Sequence, residues 1–293
     1  MIILVGATSF IGPPVLEKLL LKGYEVKCFI RAGEDTSKLK EAADKAGRTF
    51  FVARGNLNSP DSIYCTLKGA SALIYLTDLK RKSYIKNTLS AASRANLARL
   101  VFLSSTTVLL PTESQIKKDK LESEDMIKSS KKDYTILRAS MIYGSEDDTN
   151  FSKMIRFVRE KGYFYLFGTG KNLIQPVHVQ DVAFALAEVI ENKKTYRKTY
   201  ELAGREPITY SRMLDIVRSK TGVDFKVRKI PLGLAKIGAG LYSALSRNPR
   251  ISAGQIEGLK IDKAYSYEAA GKDFGFDPLS FEEGIEKLIK GLS

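Results

Sequence analysis

Sulfur and histidine are scarce in this chain. Two cysteines, Cys28 and Cys65, lie in apolar segments without metal-type or redox-type spacing, and the one histidine is His178. Neither a zinc centre nor a dithiol pair is expected from so few ligands, and no metal site is assigned. Both thiols are expected to be buried and free, as in a reducing cytoplasm. Long hydrophobic runs are also missing. None approaches the roughly eighteen residues that span a bilayer. The opening "MIILVGATSF" lacks the basic region and long apolar core of a secretory signal, so the expected location is cytoplasmic. No internal repeat or low-complexity linker interrupts the chain.

Charge, by contrast, is plentiful and one-sided. Lysine and arginine number 47 against 33 acidic residues, for a formal net charge of +14. The short clusters "LKRK" (79–82), "KKDK" (117–120) and "SKKD" (130–133) are not interleaved with aromatics. They do not read as a nucleic-acid module, and no nucleic acid is expected as a partner. A dispersed basic surface suits anionic ligands, acidic partners or anionic lipid head groups. A docking protein is therefore one reading of the chain.

Hydrophobic patterning points to the architecture. Short apolar runs at 2–6, 25–30, 49–56, 71–76, 99–105 and 134–139 are separated by stretches at helical spacing. Six strands alternating with helices imply parallel pairing through crossovers, with both sheet faces covered. The predicted fold is α/β, a doubly wound parallel sheet over residues 1–145. A smaller mixed α/β lobe, 146–293, is expected to return an element or two to that sheet. Helices are predicted over 150–162, 181–192, 209–222 and 280–292, with further helical pattern in "GLAKIGAGLYSALSR" (233–247) and a strand over 199–204.

"VGATSFIG" (5–12) follows the first strand and opens the first helix. In that setting glycines allow a tight turn and a close backbone approach to a pyrophosphate at the helix N-terminus. A dinucleotide is the expected ligand. Gly6, Thr8, Ser9, Phe10, Ile11 and Gly12 form the loop. The second strand ends at Arg31, with Lys38 nearby; a guanidinium there suits the 2′-phosphate of NADP. Asp35 is the carboxylate through which the ribose of NAD would instead be read. NADP(H) is favoured over NAD(H).

The loop resembles the TGxxGxxG motif of extended short-chain dehydrogenases/reductases, the Rossmann-fold group that includes nucleotide-sugar epimerases and dehydratases. Ser9 stands at the middle glycine and Val5 at the leading threonine. "RGNLNSPDSIYCTLKGASALIYL" is similar to the segment in which an aspartate meets adenine, here Asn56, followed by Leu57. "YTILRASMIYG", "GTGKNLIQPVHVQDVAFAL" and "TYELAGREPITYSRML" match further family segments, so the resemblance runs through most of the chain. It implies an NAD(P)-dependent oxidoreductase acting on a small carbonyl or nucleotide-sugar substrate. A homodimer is compatible with it.

The resemblance also implies a tyrosine four residues before a lysine on one helix face. The lysine binds the nicotinamide ribose and lowers the tyrosine pKa, and the tyrosine moves the proton. Lys120 fits the lysine, with Glu124 at the acidic position four residues on, and Ser105 fits the partner serine. Ile116 then stands where the tyrosine belongs, and isoleucine cannot transfer a proton. Tyr64 and Lys68 have the spacing but lie on a different helix. His178 and Asp181 are read as structural, Asp181 as the N-cap of the following helix. Tyr143 is the candidate substitute. Loss of the tyrosine resembles the atypical members, including NmrA-like redox sensors and the complex I accessory subunit, which hold NADP(H) for structure or signalling. The tail, 249–288, resembles both the same subunit with its bacterial relatives and the end of many sugar-nucleotide enzymes, so it does not separate the two.

Overall fold

The computed structural model describes residues 1–234 and 258–292. Its first part runs β1 (Ile2–Val5), α1 (Gly12–Leu21), β2 (Val26–Ile30), α2 (Ser37–Lys45), β3 (Phe51–Arg54) and α3 (Pro60–Leu67). It continues as β4 (Ala72–Tyr75), α4 (Lys82–Arg94), β5 (Arg99–Ser105), α5 (Gln115–Ser129) and β6 (Asp133–Ala139). Then come β7 (Ile142–Tyr143), α6 (Phe151–Lys161), β8 (Tyr163–Phe167), β9 (Leu173–Ile174), β10 (Val177–His178) and α7 (Val179–Glu188). The last described elements are β11 (Lys198–Leu202), β12 (Ile208–Thr209), α8 (Tyr210–Thr221), β13 (Lys226–Ile230), α9 (Glu268–Phe274) and α10 (Phe281–Gly291).

The chain divides into two compact units. One comprises Met1–Ile142, Val179–Leu202 and Ser266–Asp277; the other comprises Tyr143–His178, Ala203–Tyr265 and Pro278–Ser293. The first unit is built on a seven-stranded sheet in the order β11-β6-β5-β4-β1-β2-β3. Every neighbouring pair is parallel. β1 and β4 are buried at all positions, as uninterrupted apolar strands covered on both faces must be. β3 is an edge strand, and its Phe51 and Val52 are exposed. Strand order reverses between β1 and β4, so the carboxyl ends of β1, β2 and β4 diverge there and leave a crevice.

The helices start where local chemistry lets them. Ser59 caps α3 by accepting from the Ser62 amide, with Pro60 at the first position; Ser114 caps α5 by accepting from the Lys117 amide. The start of β5 is tied to the end of α7 by Arg99, which is buried. Its Nε donates to Ile190 O at 2.7 Å and its Nη2 to the Val189 carbonyl. These are two of the carbonyls that a helix end leaves without intrahelical partners.

Among the described residues, three two-stranded pairings lie outside the seven-stranded sheet: β7–β10, parallel β8–β13 and antiparallel β9–β12. Helix α10 opens with a full capping box between Ser280 and Glu283. Its first residue, Phe281, packs with Tyr143 and Phe151 at centroid separations of 5.1–5.3 Å.

Three expectations need correction. Cys65 is exposed, not buried. Ile63, Thr66 and Leu67 take the inner face of α3, and helical rotation turns residue 65 outward. Asp181 is not an N-cap. β10 runs straight into α7, which begins at Val179, so Asp181 sits in the first turn, where its charge favours the helix dipole. The strand β8 and its partner β13 were not anticipated, because they pair across a long sequence separation and alternate weakly. From residue 235 on, "GLAKIGAGLYSALSR" lies outside the described residues.

Candidate functional site

The turn after β1 is folded by its glycines. Gly6 adopts φ +80°, and a Cβ there would lie 2.9 Å from Thr77 Oγ1 and 3.2 Å from the Thr77 amide nitrogen. Gly12 is stricter still: a Cβ would sit 1.7 Å from Ala7 O. Only glycine lets the start of α1 press against the turn this closely. Ser9 reinforces the turn, its amide and its hydroxyl both donating to Gly6 O at 3.1 and 2.8 Å. Its hydroxyl is thereby engaged within the loop.

In front of this turn lies a cavity of about 510 Å³ at the crevice where strand order reverses. Gly6, Thr8 and Ser9 form one wall, and Asn56 and Leu57, after β3, form another. Phe10 and Ile11 do not line it; Ile11 is buried as the residue that precedes α1. Asn56 folds its side chain back to accept from the Asn58 amide at 2.9 Å, while its own amide donates to Ser62 Oγ at 3.2 Å.

The β2 end departs from expectation in an instructive way. Arg31 lines the cavity, but so does Glu34, three residues on. The Glu34 carboxylate accepts from Thr8 Oγ1 at 2.9 Å, the Arg31 amide at 3.0 Å and Arg31 Nε at 2.8 Å. Arg31 Nη2 lies 2.7 Å away. Burial alone would raise the Glu34 pKa, yet the bonds from Arg31 and Thr8 hold it below the usual carboxylate range. Asp35, the carboxylate singled out from sequence, instead accepts from the Ser37 amide and hydroxyl at 2.9 and 2.7 Å, and lines no part of the cavity. Lys38 is exposed at the start of α2, away from the lining.

The loop after β4 supplies the rest of the mouth, and sequence reasoning noted it only as charge. Thr77, Asp78, Lys80 and Arg81 line the cavity together with Tyr84 of α4. Arg81 Nη1 donates to Tyr84 Oη at 2.9 Å. The position of "LKRK" just after an apolar strand was the available signal.

Helix α5 approaches through Asp78. Lys120 Nζ lies 3.3 Å from Asp78 Oδ1, and its side chain is 13% exposed. Ile116, one turn earlier, is 53% exposed. Glu124, one turn later, is fully buried, accepting from Ser104 Oγ at 2.7 Å and Arg138 Nη2 at 2.6 Å. It clamps α5 onto β5 and β6. Ser105 accepts from the Thr107 amide at 3.2 Å, and neither it nor Lys120 lines the cavity. Tyr64 and Lys68 form a surface cation–π pair at 5.0 Å, outside the cavity.

Tyr143 is placed elsewhere. It is fully buried in the second unit, its hydroxyl 3.4 Å from Phe281 O. A Cβ on Gly284 would lie 2.0 Å from that hydroxyl, so the phenol is enclosed on that side as well. His178 packs edge-on against Tyr143 at 5.4 Å and is 3% exposed. Burial first, and Lys287 second, push its pKa down to about 4 against the pull of Asp148, so it is neutral near pH 7. Packing, not proton exchange with solvent, is what this environment provides.

A glycine turn at the switch point of a parallel sheet, opening onto a cavity lined by both charged and apolar side chains, defines a dinucleotide-binding α/β protein. The chain belongs to the NAD(P)H-binding family, whose profile matches residues 6–193. It is 24% identical over 244 residues to the mitochondrial NADH dehydrogenase (ubiquinone) 1 alpha subcomplex subunit 9 of Arabidopsis thaliana, covering 79% of this chain and 60% of that one. It is 25% identical over 337 residues to the decarboxylating sterol-4-alpha-carboxylate 3-dehydrogenase of Bos taurus, covering 98% and 90%. The NADPH-dependent quinone oxidoreductase QOR2 of Escherichia coli, solved with NADPH, shares the fold with a TM-score of 0.74 at 21% identity over 98% and 99% of the two chains. Among the described residues no helix is long and apolar enough to cross a membrane, and no cluster could hold a metal ion.

Proposed function

We propose that this protein is an atypical extended short-chain dehydrogenase that holds NADP(H) and turns it over weakly or not at all, serving a redox-sensing or structural role. The observation that carries the reading is the pair on α5: Lys120 lies 3.3 Å from Asp78, which lines the cavity, while the residue one turn before it is the exposed Ile116. In this reading the turn after β1 takes the pyrophosphate, which then lies near the positive end of the α1 dipole. The cavity of about 510 Å³ in front of Gly6, Thr8 and Ser9 is open to such a group, while the close packing of Gly6 on Thr77 and of Gly12 on Ala7 holds the turn in shape. Asn56 and Leu57 flank the adenine, Thr8 and Arg31 take the 2′-phosphate, and Lys120 takes the nicotinamide ribose. When bound, the dinucleotide supplies a hydride acceptor or donor. Ser105 would orient a carbonyl, and Ile116 contributes no proton. Loss of a positioned acid–base group costs about 10²- to 10⁴-fold in rate.

Calorimetric titration of cofactor-stripped protein with NADPH and NADH tests the binding half. Micromolar or tighter NADPH binding, at least tenfold stronger than NADH, is expected; absence of binding to either sinks the reading. Ile116→Tyr tests the chemical half. NADPH oxidation with small carbonyl substrates should rise in the variant from a very low baseline, and brisk turnover by the unmodified protein would overturn it. That second outcome would favour an active reductase or epimerase-like enzyme. The match to the bovine dehydrogenase, which covers 98% of this chain, supports keeping that alternative in the same assay.

A further inference from the structure

The seat assigned above to the 2′-phosphate already contains an anion. Four donors converge on the Glu34 carboxylate: Thr8 Oγ1 at 2.9 Å, the Arg31 amide at 3.0 Å, Arg31 Nε at 2.8 Å and Arg31 Nη2 at 2.7 Å. One oxygen takes the hydroxyl and the amide, and the other takes the guanidinium. A hydroxyl, a backbone N–H and the two-pronged edge of a guanidinium are also the donors that a phosphate monoester accepts from. The carboxylate faces the cavity and retains 21% side-chain exposure.

Beyond these contacts the residue is tied by one long backbone bond, its amide donating to Arg31 O at 3.4 Å. Glu34 follows Gly33, which has φ +80° and open space around it, in an exposed connection between β2 and α2. The carboxylate can therefore swing away without disturbing a packed element. A carboxylate carries one negative charge, and a phosphate monoester at pH 7 carries about 1.5 to 2. The two cannot share the seat, since like charges at contact distance repel strongly where solvent is partly excluded.

We propose that Glu34 is a resident stand-in for the 2′-phosphate: NADP(H) must displace it from Thr8 and Arg31, whereas NAD(H) leaves it in place, so this carboxylate sets how far the site favours one dinucleotide over the other. The inference rests on the dinucleotide reading of the cavity. It makes Glu34 a specificity-determining residue that weakens NADP(H) binding, with Arg31 and Thr8 as the groups it masks.

The test uses Glu34→Gln and Glu34→Ala with two probes that differ only in the 2′-phosphate, adenosine 2′,5′-bisphosphate and AMP, beside NADPH and NADH. Circular dichroism and thermal unfolding verify that each variant is folded. Both variants should bind the bisphosphate and NADPH about tenfold more tightly or better, the scale of a charge-assisted contact. AMP and NADH should change less than threefold. Adding Arg31→Ala to Glu34→Gln should abolish the gain. If the variants weaken NADH selectively, Glu34 reads the ribose hydroxyls directly and the stand-in is overturned. An unchanged ratio of bisphosphate to AMP affinity also overturns it, leaving the dinucleotide reading intact. If neither the unmodified protein nor any variant binds any of the four ligands, both inferences fall together.

Discussion

The cavity side of the first unit and the groups put forward for proton transfer have been treated very differently. Around the cavity, backbone and side chains converge: Gly6 and Gly12 tolerate no Cβ, and Thr8, Arg31 and Glu34 form one bonded cluster. Among the proton-transfer candidates nothing converges. Ile116 is apolar and open, while Tyr143 and His178 are sealed in the second unit. Binding is distributed over many backbone contacts, whereas acid–base catalysis rests on one phenol.

Four measurements would break or sharpen that contrast. The largest effect is expected at Glu124→Ala, which removes the fully buried carboxylate that accepts from Ser104 Oγ at 2.7 Å and Arg138 Nη2 at 2.6 Å and leaves the part-buried Arg138 guanidinium with Glu201 at 3.9 Å. Denaturant unfolding should show a loss of about 3–5 kcal/mol. A loss below 1 kcal/mol would mean that α5 is not anchored through this pair. Acid comes next. His178, with its pKa held near 4 in the folded state and an ordinary value of 6.5 when unfolded, is protonated more readily by the unfolded chain. Its contribution is complete above about pH 6.5 and declines as pH falls toward 4, by about 3 kcal/mol in all. Chemical denaturation across that range should flatten in His178→Phe. Were His178 the proton carrier, the variant would instead remove an inflection from the pH profile of turnover.

Gly12→Ala should follow in size, costing roughly 1–3 kcal/mol through the clash with Ala7 O, with dinucleotide affinity falling more than tenfold. Retained affinity would show that the start of α1 can retreat without loss of the seat. The smallest stability effect is expected for Ile116→Tyr, within about 0.5 kcal/mol, because the position is 53% exposed. Thermal unfolding beside the activity assay separates a gained phenol from a disturbed helix.

Much of the fold was legible because it is written locally. Runs such as "IILVG" and "RLVFLSS" are apolar at consecutive positions, which only strands buried on both faces require, and the helices between them carry their own caps at Ser59 and Ser114. Gly6 and Gly12 were legible for the same reason. Cys65 was misplaced because a single turn of helix decides its exposure, and the short ribbons of the second unit escaped because their pairing is non-local. The choice between Asp35 and Glu34 was also beyond reach. Two adjacent acids look alike in one dimension, yet one accepts from Ser37 ahead of α2 and the other lines the cavity.

By itself, the amino-acid sequence determined the parallel sheet, the glycine turn after its first strand and the presence of an apolar residue, Ile116, four positions before Lys120. These depend on spacing along the chain and on which side chains glycine and isoleucine lack. Only the tertiary structure decided that Lys120 meets Asp78, that Tyr143 is buried away from solvent, and that Glu34 lies within the donors of Thr8 and Arg31. Each of those outcomes depends on residues brought together by the turn of a helix or the end of a strand, and distances between such residues are set by packing in three dimensions.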